Sequence, residues 1–566
     1  MTGRERIPTN LRGGVPDRAP FGPNLWPRLL FVLGAGLLIY GMPLAARASS
    51  GEQWRPLELA FTAERQAADP FDIVRCRFVA EFSGPNGARL TVPGFWDGGK
   101  TWKVRFTPTA PGRWSYATVF ADKDDRGLHA QQGRIDVAPP TGATDIRRHG
   151  GMLRVSTSGR YLTYSDGTPF FWLGDTWWAV PSFRVPFEDF RRQVDRRIAQ
   201  KYTVYQAHGH QPIFRDEKGN GIGAFEATRQ PSPEVLAYWR ELDRYVAYGD
   251  EHGLVGVVGF AAHSLLDSMP LTELQRLWHY YIARFGAYAI TFLITQEYNA
   301  RLGSADERVP KLLVLGRFIK ETDPYRRAMT VHPWTHAGDR REAWSTSWLD
   351  FAMFQAGHWR FAPAEFYWGV FHATPRRPLV EAEANYEAFT NSRLTIDAAA
   401  VRRAAYTAIQ GGSCGFTYGA QGLYAGVTDR SQPYTTAQWG PVLTSEEGLQ
   451  LPGGAQMQHL RAAFESVAWW KLEPALGIVD PPGDVLVKAD GIDSLVLYFP
   501  PNAMVAPGAR LTHMRDGNSY TAEWFNPRTG ERTNLEPGLV VQRDRLPLPP
   551  RPNEEDWVLI LRRKSV

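Results

Sequence analysis

A chain of 566 residues is too long for a single hydrophobic core and must divide into several domains. Hydrophobic residues at 43% and charged residues at 22% give a globular protein, and a net charge of only +5 on scattered basic residues argues against nucleic acid as its main partner. The aromatic share is high, at 13% with 20 Trp, which suits stacking against sugar rings or additional core packing.

The first 48 residues read as an export segment. Arg18 and Arg28 precede the apolar run LLFVLGAGLLIYGMPLAA (29–46), and the small residues Ala46 and Ala48 follow in ARASS. This pattern predicts a secretory signal peptide cleaved near Ala48 and a secreted or periplasmic protein. The run is nearly long enough to span a bilayer, so an uncleaved membrane tether is the alternative.

From 51 to 138, RPLELAFTAE, DIVRCRFVAEFSGPNG and TWKVRFTPTAPGRWSYATVFA alternate apolar and polar residues between Gly and Pro breaks, which predicts a β-sandwich. VAPPTGATD (137–145) reads as a linker. From 146 to 475 short apolar runs alternate with amphipathic stretches such as FEDFRRQVDRRIAQK and DAAAVRRAAYTAIQG. Eight strands, each followed by a helix, predict a (β/α)8 TIM barrel, and the absence of a Gly-rich phosphate loop after the first strand disfavours a doubly wound sheet. DVLVKAD, SLVLYFP, YTAEWFNPRTGE and DWVLILRRK predict a second small β-sandwich over 480–566. Cys76 and Cys414 fall in different domains and read as two separate buried thiols; with no C-x-x-C or H-E-x-x-H pattern, a zinc site has no ligand set.

Each barrel strand begins apolar and finishes polar: Asp175, Gln206 with His208, His263, Glu297, His332, Gln355 with His358, Glu383 and Tyr418. Barrel active sites form where the strands' C-terminal ends meet, so this ring predicts a cleft that hydrogen-bonds a polar, neutral ligand. Glu297 ends strand 4, and LVEAEANYE (379–387) at strand 7 holds Glu381, Glu383 and Glu387. Strands 4 and 7 lie nearly opposite, so two carboxylates can face each other there, as glycoside hydrolysis needs: one general acid and one nucleophile or base. Period-two alternation puts Leu379, Glu381 and Glu383 on one face with Glu383 nearest the mouth, Glu381 a layer deeper, and Glu387 opening the next loop or helix.

GTPFFWLGDTWW, QEYN, VHPW, FQAGH, LVEAEANYE and GFTYGAQG, in this order, resemble the apiosidase-like glycoside hydrolases. GFWDGGKTWKVRFTPTAPGRWSY resembles the β-sandwich that often precedes that barrel, and EWFNPRTGE the small C-terminal domain labelled collagen-binding. The resemblance implies a TIM-barrel hydrolase with its acid/base on strand 4, here Glu297, and its nucleophile on strand 7, here Glu383. The family usually ends strand 4 on Gly-Gly-Asp, whereas this chain has Thr295, Gln296 and Glu297. The longer acid moves the proton donor by roughly 1 Å, enough to matter where misplacement costs rate, so the resemblance does not carry over apiose itself as the substrate.

The expectation is therefore an exported glycoside hydrolase acting on a polysaccharide or oligosaccharide by a retaining mechanism, with no metal or cofactor required. Asp175, Trp177 (or its neighbour Trp178), Gln206, His208, Gln296, His332, Gln355, His358 and Tyr418 are the expected substrate contacts. For His332, His358 and Tyr418 the other role is to orient the nucleophile. The alternative function is a non-catalytic carbohydrate-binding or cell-envelope protein on the same barrel.

Overall fold

The computed structural model describes residues 47–564, apart from 216–219, 261–262, 301–304, 335–341, 359–360 and 432–436. The expected export segment lies outside the described residues, except that Arg47 and Ala48 open the first strand, Arg47–Glu52. Among the described residues no helix is long and apolar enough to cross a membrane.

The central sheet is parallel throughout and contains eight strands: β1 (Trp172–Trp177), β2 (Val204–His208), β3 (Val255–Gly259), β4 (Ile290–Gln296), β5 (Met329–His332), β6 (Ala352–Phe354), β7 (Leu379–Glu381) and β8 (Gly415–Tyr418). Its order is β5-β4-β3-β2-β1-β8-β7-β6. The ends meet where Thr330 Oγ1 donates to the Phe351 carbonyl at 2.8 Å and Asp350 N–H to the Met329 carbonyl at 3.1 Å. These strands are buried on both faces, which is why they read as nearly unbroken apolar runs. The surrounding helices are α1 (Phe187–Ala199), α2 (Pro233–His252), α3 (Leu271–Phe285), α4 (Ala305–Thr322), α5 (Ala364–Phe371), α6 (Ala398–Gly411) and α7 (Pro452–Glu465). A helix was expected after every strand, but between β5 and β6 the described residues hold only the 3-10 turn Glu342–Ser345.

Before the barrel, a five-stranded sheet (Arg47–Glu52, Gln132–Ala138, Gly112–Phe120, Phe78–Ser83, Arg89–Pro93) faces a three-stranded one (Leu57–Thr62, Thr101–Phe106, Phe95–Trp96). Buried ions join this layer to the barrel. Arg105 pairs with Asp243 of α2, and Arg284 of α3 pairs with both Asp243 and Asp97. Both cysteines are free; Cys414 is buried, whereas Cys76 is only partly so.

After the barrel, a six-stranded sheet runs Glu473–Pro474, Leu486–Asp490, Ser494–Phe499, Trp557–Arg563, Ser519–Phe525 and Arg532–Val540. Its two faces serve different cores. Leu495, Leu497, Phe499, Leu559 and Leu561 pack into the domain's own core, while Val496, Tyr498, Val558 and Ile560 join the barrel's. Tyr498 stacks on Tyr406 of α6 with centroids 4.5 Å apart, and Gln410 donates to the Val496 carbonyl. The seam is fixed by Asp556, which is fully buried and accepts from Arg402 of α6 at 2.8 and 2.9 Å and from Arg528 at 2.8 Å. Removing one member of a buried ion cluster leaves its partners uncompensated. Asp556→Ala is therefore expected to destabilise the fold by about 3–5 kcal/mol, read as a lowered midpoint in urea denaturation.

Candidate active site

The strand ends meet around Glu383. Gln296 donates to Glu383 Oε2 at 3.3 Å, His358 Nε2 lies 3.4 Å from Oε1, and His332 Nε2 lies 3.6 Å from Oε2. The Tyr386 side chain also hydrogen-bonds Glu383, and the Trp178 indole N–H donates to Tyr386 Oη at 3.1 Å. Burial alone would raise the Glu383 carboxyl, but the His358 hydrogen bond and the two imidazoles outweigh it and hold the group below its ordinary value. His332 Nδ1 lies 3.0 Å from the Pro333 carbonyl and must donate to it, so Nε2 carries a proton only when the ring is charged. Burial opposes that charge and lowers the His332 pKa, with Glu383 pulling the other way.

Glu297 is the opposite case. Burial is the largest influence on its carboxyl and the Glu383 charge the second; together they push it up to about 8 against one hydrogen bond from Gln355. Its backbone leaves β4 in the left-handed region at φ 53°, a conformation that costs a residue with a Cβ about 1–2 kcal/mol. The pairing of β4 with β5 explains how this end is aimed. Leu293 faces Thr330 but Gln296 faces His332, so β4 holds one extra residue there. Such a bulge re-aims side chains, and here it brings Gln296 onto Glu383.

The expected substrate contacts divide by strand parity. Phe190 of α1 meets Trp177, and Arg197 of α1 meets Asp175, so both residues face the helices, not the barrel mouth. Asp175 is 0% exposed, pairs with Arg197 Nε at 2.6 Å and accepts from the Thr176 N–H at 2.8 Å. Neither Asp175 nor Trp177 is available to a sugar, and both expectations are corrected. Trp178, two residues beyond Thr176, is the tryptophan at the site, stacked on His208 with centroids 4.3 Å apart. Tyr418 also faces outward and donates to Glu387 at 2.6 Å, so the tyrosine beside Glu383 is Tyr386. Gln206 points into the barrel but is spent there, donating to the Ala382 carbonyl at 3.1 Å and accepting from Thr417 at 3.2 Å. His263 does not end β3; it precedes the short helix Ser264–Ser268.

One of the other strand-7 acids also differs from expectation. Glu381 does not lie a layer deeper in the barrel mouth; it turns toward α5 and accepts from Tyr367 Oη at 2.7 Å. Glu387 lies beyond β7, ahead of the stretch that leads to α6. It is buried and accepts from the N–H groups of Gly453 (3.0 Å) and Gly454 (3.3 Å) at the start of α7. A Cβ at Gly453 would stand 2.5 Å from Glu387 Oε2, so the approach requires glycine. His208, Gln296, His332, Gln355 and His358 remain around the two carboxyls, and His208 Nε2 and Gln355 Oε1 are buried without a hydrogen-bond partner. Sequence reasoning missed Tyr386 and set Trp177 ahead of Trp178, since in a strand buried at every position nothing marks which parity points inward. Among the described residues, no group of three or more His, Cys, Asp or Glu side chains could hold a metal ion.

This architecture is shared with barrel glycoside hydrolases of known structure. One such hydrolase aligns at TM-score 0.61 and 21% identity over 73% of this chain and 97% of its own. A glycoside hydrolase family 5 protein from Bacteroides vulgatus ATCC 8482 aligns at 0.63 and 20%, over 73% and 93%. A candidate glycoside hydrolase from the same strain aligns at 0.69 and 16%, over 91% and 100%. At these identities the likeness establishes the fold. None of the curated proteins matches the chain. The family model of the apiosidase-like catalytic domain matches residues 156–471, more than half of the chain, and that of a domain of unknown function, DUF5060, matches 50–121. The chain belongs to the apiosidase-like family and is a glycoside hydrolase.

Proposed function

We propose that this hydrolase cleaves an oligosaccharide or polysaccharide by retaining double displacement. Glu297 protonates the leaving oxygen while Glu383 attacks the anomeric carbon; Glu297 then takes a proton from the water that releases the sugar. What carries this reading is the contrast between two neighbouring carboxyls: Glu383 is gripped by Gln296 at 3.3 Å and His358 at 3.4 Å and held below its ordinary value, whereas Glu297 is desolvated, faces the Glu383 charge and is pushed up to about 8. Environments that separate two acids in this way assign one as donor and the other as anion. Gln296, His358 and Tyr386 hold the anion, Trp178 gives a ring face, and the unpartnered atoms of His208 and Gln355 suit sugar hydroxyls.

The export pattern supports action outside the cytoplasm. Cleavage after Ala48 would trim two residues from the edge strand Arg47–Glu52 and keep the rest of its pairing with Gln132–Ala138. A screen of aryl pentosides and hexosides, furanose forms included, identifies a substrate, and proton NMR of the first-formed sugar then tests the mechanism. Retention of anomeric configuration is expected; inversion would overturn the double displacement.

A further inference from the structure

Glu381 is a carboxyl for which the two-carboxylate reaction has no use. It closes β7 at 0% exposure, and its three recorded donors are all neutral. Tyr367 Oη donates to Oε2 at 2.7 Å, while the N–H groups of Ala356 (3.2 Å) and Glu383 (3.0 Å) both donate to Oε1. Burying an acid without a counter-ion is unfavourable, so those donors must supply what water no longer does.

The two N–H groups belong to the segments that carry the catalytic machinery. One is the backbone of Glu383 itself. The other directly follows Gln355, whose side chain hydrogen-bonds Glu297. Regular pairing of β6 with β7 stops at Phe354 and Glu381 and resumes as an isolated bridge between Gly357 and Ala384. Within that gap one Glu381 carboxyl oxygen accepts from both segments, beside the main-chain bonds from Ala382 N–H to the Phe354 carbonyl (2.8 Å) and from Gly357 N–H to the Glu383 carbonyl (3.0 Å).

We propose that Glu381 is a positioning residue that sets both carboxyls of the reaction at once, Glu383 through its backbone and Glu297 through Gln355. This rests on the assignment of Glu297 and Glu383 above. Geometry at this scale matters because misplacement by about 1 Å costs on the order of 10²-fold in rate.

Three variants test it. Glu381→Leu fills the space without an acceptor, and Glu381→Asp withdraws the carboxyl by one methylene. Glu381→Gln keeps a carbonyl for both N–H groups. Leu and Asp should lose about 10²-fold in kcat with KM little changed and a displaced basic limb in the pH profile. Gln should restore most of the loss at a similar melting temperature. A folded Leu or Asp variant with wild-type kcat and pH profile overturns the proposal. So does a Gln variant as defective as Asp. Glu383→Gln assayed alongside separates the two claims: if it stays active, the nucleophile assignment fails. If it is inactive while Glu381→Asp turns over normally, only the positioning role falls.

Discussion

Glu297→Gln is expected to lower kcat by about 10²–10⁴-fold on glycosides with poor leaving groups, the contribution of one positioned acid. That corresponds to roughly 3–5 kcal/mol of transition-state stabilisation. The loss should shrink for aryl glycosides with acidic phenols, whose departure needs little protonation. The pH profile gives an independent sign. Glu297 can donate only while protonated, and its carboxyl is raised to about 8. The wild-type kcat/KM should therefore persist through neutrality and fall as pH rises through about 8, and the Gln variant should lose that limb. A variant with unchanged kcat on every leaving group would remove Glu297 from the reaction.

Glu383→Gln should be more severe, on the order of 10⁴–10⁶-fold in kcat, because deleting a nucleophile removes the covalent route altogether. Leaving-group acidity should not rescue it, which separates it from the Glu297 variant. Glu383 is held below its ordinary value of 4.5, so it is ionised above that pH, and the acid limb of the wild-type profile should lie below 4.5. The two groups are coupled. The Glu383 charge is the second-largest cause of the raised Glu297 carboxyl, so neutralising it should bring Glu297 down, observable by carbon-13 NMR of labelled glutamate. No movement of Glu297 would mean that the carboxyls do not share one site.

The strands were legible because a strand buried on both faces leaves an apolar run with a polar end. All eight of these in the barrel lie where the runs stand. The direction of each polar end was not legible, for the same physical reason. A strand with two apolar faces carries no alternation to mark inside from outside, so Asp175 and Trp177 read like Trp178 until Arg197 and Phe190 are placed behind them. Tyr418 was expected at the nucleophile for the same reason, although it faces outward to Glu387. The bulge that turns Gln296 onto Glu383 has no signature in ITFLITQEYN, since it depends on the register against β5. Glu383 was chosen by an alternation that put Glu381 on the same face, but that alternation ends with β7 at Glu381, which instead meets Tyr367 of the preceding helix α5.

The C-terminal sheet, with one face in its own core and the other in the barrel's, bears on how such a gene can be reshuffled. The run of strand residues after 475 looks like a detachable module, yet Val496, Tyr498, Val558 and Ile560 are the outer wall of the barrel beside α6. A crossover near 475 that exchanged this segment for an unrelated β domain would leave Tyr406 without its stacking partner and Arg402 without Asp556. The barrel and its last sheet therefore share one packed core, and neither can be exchanged without rebuilding the seam at Tyr406 and Arg402.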